Sequence, residues 1–152
     1  MMYTLKKITL RTNNSKNGIE KINAVWKDII TGKLPIIVTN ENTAQQGVYL
    51  ISEYSNYESD STGDYDLSIY RTTNIFFKTL ERKVKKGTYK KYLFSSKDKD
   101  IEFCTKNAWS KVWKDEKQKS INRAYTIDYE YSIASNFSKD KKTYCYLYIA
   151  AK

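Results

Sequence analysis

Apolar and polar residues alternate along KITLRT (7–12), which predicts a first strand with one buried face. NNSKNG follows, with Asn14 or Ser15 placed to cap a helix. Ile19, Ile22, Trp26 and Ile29 then recur at three- and four-residue spacing through IEKINAVWKDII, the stripe of an amphipathic helix, and Thr31-Gly32 reads as its end. KLPIIVTNENTAQQ (33–46), holding the only proline, is expected to be a long loop. GVYLISEYSNYES (47–59) reads as a long strand and DSTGD as its turn, and YDLSIY (65–70) returns with Tyr65, Leu67 and Ile69 on one face. TTNIFFKTLERKVKK (72–86) is read as a poorly patterned bridge.

The same order then begins again. GTYKKYLF (87–94) is a strand and SSKDKD a polar break, and a helix is expected near 101–117 with Ala108, Trp109, Val112 and Trp113 along it. A strand over 125–131 and TYCYLYIA (143–150) complete the series, the last apolar on both faces and so expected inside a sheet rather than at its edge. Residue-level echoes support a repeat: AVWKDI (24–29) matches KVWKDE (111–116), and YLISEY (49–54) resembles YTIDYEY (125–131). The simplest account is one α+β domain over 1–152 made of two pseudo-symmetric β-α-β-β units, about 1–72 and 86–152. Their strands would form a curved antiparallel sheet around two helices.

Composition narrows the chemistry. Histidine is absent, which removes Ser-His-Asp and Cys-His catalysis. Two cysteines, Cys104 and Cys145, make neither a disulfide framework nor a zinc site, so no metal or cofactor is expected. MMYTLKKITLRTNN lacks the apolar run of a secretory signal and LPIIV is too short to cross a bilayer, so a cytoplasmic location without membrane partners is the expectation. Net charge is +10, yet the lysines are dispersed. Their densest runs, ERKVKKGTYKK (81–91) and KDKK (139–142), read as connections or strand edges. A solvated surface is expected rather than specific nucleic-acid recognition. The outlier is tyrosine, with 14 residues. Its rings suit half-wet cavities as well as cores.

RTNN (11–14), IEKINAVW (19–26), YESDSTGDY (57–65), KGTYKKY (86–92), AWSKVW (108–113), RAYTIDYEY (123–131) and YLYIA (146–150) occur in this order across nearly the whole chain. Together they resemble the GyrI-like effector-binding superfamily, known from the ligand domains of AraC- and MerR-type transcription regulators, and in particular its stand-alone branch that includes integron-cassette proteins. The resemblance implies a ligand cleft between the two units that takes lipophilic, often cationic, compounds against aromatic walls and a buried acid. Carried onto this chain, the acid falls on Glu130 and the helix tryptophans on Trp26, Trp109 and Trp113. Tyr129 stands where phenylalanine is usual, and 75–83 fits the family's middle segment poorly.

Along 125–131 the alternation puts Tyr125, Ile127, Tyr129 and Tyr131 on one face and Thr126, Asp128 and Glu130 on the other. Read alone, that is a strand with its acids in water. Read with the resemblance, Glu130 is a sheltered carboxylate whose desolvation a cationic guest would offset, with Tyr49, Tyr54, Tyr65 and Tyr125 as further wall residues. Glu53, a formal counterpart in the first unit, differs in register by one residue and so would face the other way.

The expected function is binding of small amphipathic aromatic compounds, cationic ones among them, by a sensor or sequestering module rather than an enzyme. No DNA-binding motif is seen, so transcriptional control would need a DNA-binding or other protein partner. Alternatives are hydrolysis of reactive small molecules with Glu130 as general base, as some relatives do, and binding to a protein partner, as in gyrase inhibition, or to nucleic acid through the lysine-rich bridge.

Overall fold

The computed structural model describes residues 4–5, 7–31, 37–38 and 48–152, and its contacts cluster into two compact units, Met1–Phe77 and Lys78–Lys152. The protein is α+β with antiparallel strands, and among the described residues it has three α-helices rather than the expected two. In the first unit β1 (Thr4–Leu5), β2 (Ile8–Thr12), α1 (Lys16–Ile30), β3 (Ile37–Val38), β4 (Val48–Ser55) and β5 (Tyr65–Thr73) follow one another. Then comes α2 (Asn74–Lys85), within which the unit boundary falls. The second unit continues with β6 (Tyr89–Ser96), α3 (Ile101–Lys117), β7 (Ile127–Ile133) and β8 (Thr143–Ala150). Of the loop expected over 33–46 only the pair Ile37–Val38 is described, antiparallel to Thr4–Leu5; the rest of it, with Gly32 and Gly47, lies outside the described residues.

Both units use one topology. β5 lies between β2 and β4, with Leu10 opposite Leu67 and Tyr54 opposite Leu67. β8 likewise lies between β6 and β7, Leu147 facing Tyr92 on one side and Glu130 on the other, so TYCYLYIA is the inner strand of its unit as expected. α1 follows β2 and α3 follows β6, and each helix packs on the inner strand of its unit. Ile22, Val25, Trp26 and Ile29 cover Tyr65, Leu67 and Ile69; Cys104, Ala108 and Val112 cover Cys145, Leu147 and Ile149. The equivalent valines of the repeat, Val25 and Val112, both face these cores, which explains why that stretch of sequence recurs.

RTNN acts as a clasp. Thr12 Oγ1 donates to the Gly18 carbonyl at 2.8 Å, Asn13 reaches Asp64 at 3.0 Å, and Asn14 bonds both the Ser61 carbonyl and the Tyr65 hydroxyl. The start of α1 is thereby tied to the β4–β5 turn. Ser15 is the N-cap, accepting from the Gly18 amide. Gly18 has to be glycine: a Cβ there would sit 2.1 Å from the Asn13 carbonyl oxygen.

The bridge of residues 72–86 is the main departure. Phe76 and Phe77, Leu80 and Val84 recur at three- to four-residue spacing, the half-buried face of α2, with Leu80 in its interior. The many charges on the opposite face mask that period. Arg82, Lys83 and Lys85, expected in a connection, lie in the last turn of the helix, where cations complement its dipole. A Schellman motif closes it: Gly87, at φ +80°, donates to Val84 and Thr88 donates to Lys83.

Candidate functional site

Glu130 is paired with Leu147 and Asp128 lies two residues before it, so both acids point to the α3 side of the sheet and neither faces open water by default. Asp128 is fully buried. Tyr125 does not share a face with Tyr129 and Tyr131, because β7 starts later than expected: Ala124 bonds the Ala150 carbonyl, and Tyr125 then turns through the left-handed region at φ 54°.

Half-buried Glu130 accepts the indole Nε1–H of Trp109 at 2.7 Å. One helical turn on, Trp113 lies 6.1 Å from Trp109 between ring centroids, tilted by 30°, and remains 41% exposed. An acid and two indoles thus adjoin, one ring open to solvent. Behind them the Arg123 guanidinium packs 5.8 Å from the Trp109 ring and 4.2 Å from that of Tyr125. Its Nη2 bonds Asp128 at 2.8 Å, and the other Asp128 oxygen accepts the Ala150 amide. Tyr125 donates to Glu116, which also pairs with Arg123 at 3.7 Å. Around Trp109, then, Glu116 and Asp128 pair with the Arg123 guanidinium while Glu130 accepts the indole N–H.

The remaining expected residues belong to the first unit. Tyr65 is buried in its core with Tyr54 edge-on at 5.5 Å, and Trp26 packs against the same cluster. Tyr49 meets Phe77 edge-on at 5.4 Å and lies on the opposite sheet face from Tyr54, since the two are five positions apart on one strand. Glu53 accepts the Tyr70 hydroxyl at 2.8 Å and pairs with Lys7.

Sequence reasoning missed the pattern that uses these tyrosines. In four places a phenol donates to a carboxylate while a cation pairs with that carboxylate and sits over the phenol ring. The sets are Tyr70–Glu53–Lys7, Tyr92–Asp115–Lys90, Tyr148–Glu81–Lys91 and Tyr125–Glu116–Arg123. Burial, then the partner carboxylate, raises the Tyr92 and Tyr148 hydroxyls. Hydrogen bonds from Lys111, then Lys90 and Tyr92, hold Asp115 down at about 2 against the cost of burial. Apart from Lys90 with Tyr92 and the Glu116–Arg123–Tyr125 set, the members are far apart in sequence, so only the tyrosine excess hinted at them.

Both thiols are buried. Burial, and then the charge of Glu130, pushes Cys145 up to about 12, which leaves a thiol rather than a nucleophilic thiolate. Among the described residues no group of three or more Cys, Asp or Glu side chains is placed to hold a metal ion, and no helix is long and apolar enough to cross a membrane.

No protein-family model and no curated protein matches the chain. Among solved structures the chain is similar to an integron cassette protein from the mobile metagenome of Vibrio cholerae, with a TM-score of 0.57 and 19% identity over 99% of this chain and 95% of that one. At that identity the likeness is one of fold.

Proposed function

We propose that the protein binds small amphipathic aromatic compounds, cationic ones among them, at Glu130 against Trp109 and Trp113, and that it is a relative of the GyrI-like effector-binding superfamily. The observation that carries this is the Trp109–Glu130 hydrogen bond beside a solvent-exposed indole. The bond fixes the orientation of a carboxylate that burial has partly stripped of water. The Trp113 ring offers a flat partner, and a cation held at both gains charge pairing plus about 0.5–2 kcal/mol of cation–π attraction. Long-range repulsion from a +10 chain is screened within about 8 Å at physiological salt, so the local acids dominate at contact. The fold shared with an integron cassette protein supports the same family reading.

Tryptophan fluorescence tests it. Titration with planar aromatic cations and their neutral isosteres is expected to give saturable quenching. Glu130→Gln keeps an acceptor for Trp109 and should weaken cations more than neutral compounds; Trp113→Ala should weaken both. Saturable binding that neither substitution alters would sink the site, and an absence of any saturable quenching would sink the function.

A further inference from the structure

The second unit has another face. Opposite α3, its sheet carries Tyr144, Tyr146 and Tyr148 on β8, which pair across the strands with Ile133, Tyr131 and Tyr129 on β7. On β6 the same face presents Tyr89, Lys91 and Leu93. The rings are ordered: Tyr146 is 6.0 Å from Tyr144 and 6.1 Å from Tyr131, with interplanar angles of 11° and 20°. α2 lies at one side of this face, since Glu81 accepts the Tyr148 hydroxyl and pairs with Lys91 at 2.6 Å. Lys91 in turn rests over the Tyr146 and Tyr148 rings. Tyr144 and Tyr146 stay partly open, and Leu93 beside Tyr146 is 53% exposed.

We propose that this tyrosine face, with the basic side of α2, binds single-stranded nucleic acid without sequence preference. Lys78 and Lys85, three residues before Glu81 and four after, share its side of the helix and are exposed. Arg82, Lys83 and Lys86 extend the charge, with Glu81 the only acid of 78–92. A helix C-terminus is served by one or two cations; this many beside an aromatic sheet makes a path for a phosphate backbone. Parallel phenol rings offer faces and edges for bases, which only an unpaired strand can present. The same charge disfavours a second copy of this chain as occupant. An anionic membrane fits less well, because the face is mainly phenolic, with Leu93 and Ile127 as its exposed large aliphatic residues.

Fluorescence anisotropy with labelled oligo-dT and oligo-rU, against a duplex of equal length, is the test. Single strands should bind more tightly than duplex, with a log–log salt slope of about −2 for three phosphate contacts. Tyr146→Ala should weaken binding about ten-fold or more while Tyr146→Phe retains it, which separates loss of the ring from loss of the fold. Lys85→Glu should weaken binding and flatten the slope by about 0.7. Glu130→Gln should change nothing here, so this proposal and the aromatic-ligand site fail separately. Equal affinity for duplex, or a folded Tyr146→Ala with unchanged affinity, would reduce the contact to counterion attraction and overturn the proposal. So would binding to phosphatidylserine vesicles without binding to either oligonucleotide.

Discussion

Trp109 on α3 donates its indole N–H to Glu130 on β7 at 2.7 Å, tying the helix to the sheet through a charged acceptor. A hydrogen bond to a charged group contributes about 1.5–3 kcal/mol when its partner has little water to turn to. Trp109→Phe keeps an aromatic ring and loses the donor. Urea denaturation should therefore show a loss of about 1–3 kcal/mol with an unchanged m-value. A loss below about 0.5 kcal/mol would mean that the carboxylate finds water as good a partner.

Arg123 and Asp128 make the most deeply buried ion pair among the described residues, with side-chain exposures of 2% and 0%. Removing one partner strands the other charge, at about 3–5 kcal/mol. Asp128→Ala should incur that cost and also release the Ala150 amide. The double variant Arg123→Met/Asp128→Leu should recover much of it, because an apolar pair has no charge to desolvate. If the two single losses simply add, the pair is not coupled as the geometry requires.

How much of this was written in the sequence depends on the range of each interaction. Elements with a clean period and local caps were legible: Ile22 to Ile29 in α1, residues 101–117 of α3 behind the Asp100 cap, and the apolar inner strand 143–150. α2 was not, because the charges that crowd its outer face obscure Phe76, Leu80 and Val84. Glu130 beside Trp109 came from the family resemblance, whereas alternation alone favoured acids in water. Asp128 shows why that inference fails: alternation says which residues share a face, but not what covers it. The tyrosine–acid–cation sets were invisible because their members, such as Tyr148 and Glu81, meet only through the fold.

One of those sets limits stability at both ends of the pH scale. Asp115 is held at about 2, below its ordinary 3.8, by hydrogen bonds from Lys111, then Lys90 and Tyr92. A carboxylate depressed in the folded state stabilises it above the unfolded value, and that contribution fades as pH falls from about 3.8 through about 2. Tyr92 works in the opposite direction: burial and Asp115 raise it from 10.0, so its contribution holds below pH 10.0 and is lost as pH rises beyond. Thermal melts should show Asp115→Asn less stable at neutral pH but flatter between pH 4 and 2. Tyr92→Phe should flatten the alkaline side. An acid limb identical in Asp115→Asn and the parent would place the titrating group elsewhere.

Two helix ends offer a matched comparison. α2 and α3 both close in a Schellman motif, with Gly87 at φ +80° in the first and Lys119 at φ 61° in the second. Lys119 donates to Glu116 and Ser120 to Asp115, the same two bonds that Gly87 and Thr88 make. A side chain in the left-handed region costs about 1–2 kcal/mol, and glycine avoids that at some expense in unfolded-chain entropy. Lys119→Gly should therefore stabilise the protein by about 0.5–1 kcal/mol. Gly87→Ala should destabilise it by about 1–2 kcal/mol, although a Cβ there would meet nothing within 4 Å, so the penalty would be conformational and not steric. Chemical denaturation of both variants decides the matter: opposite signs follow from a shared backbone geometry, and equal signs would show that the two turns are not equivalent.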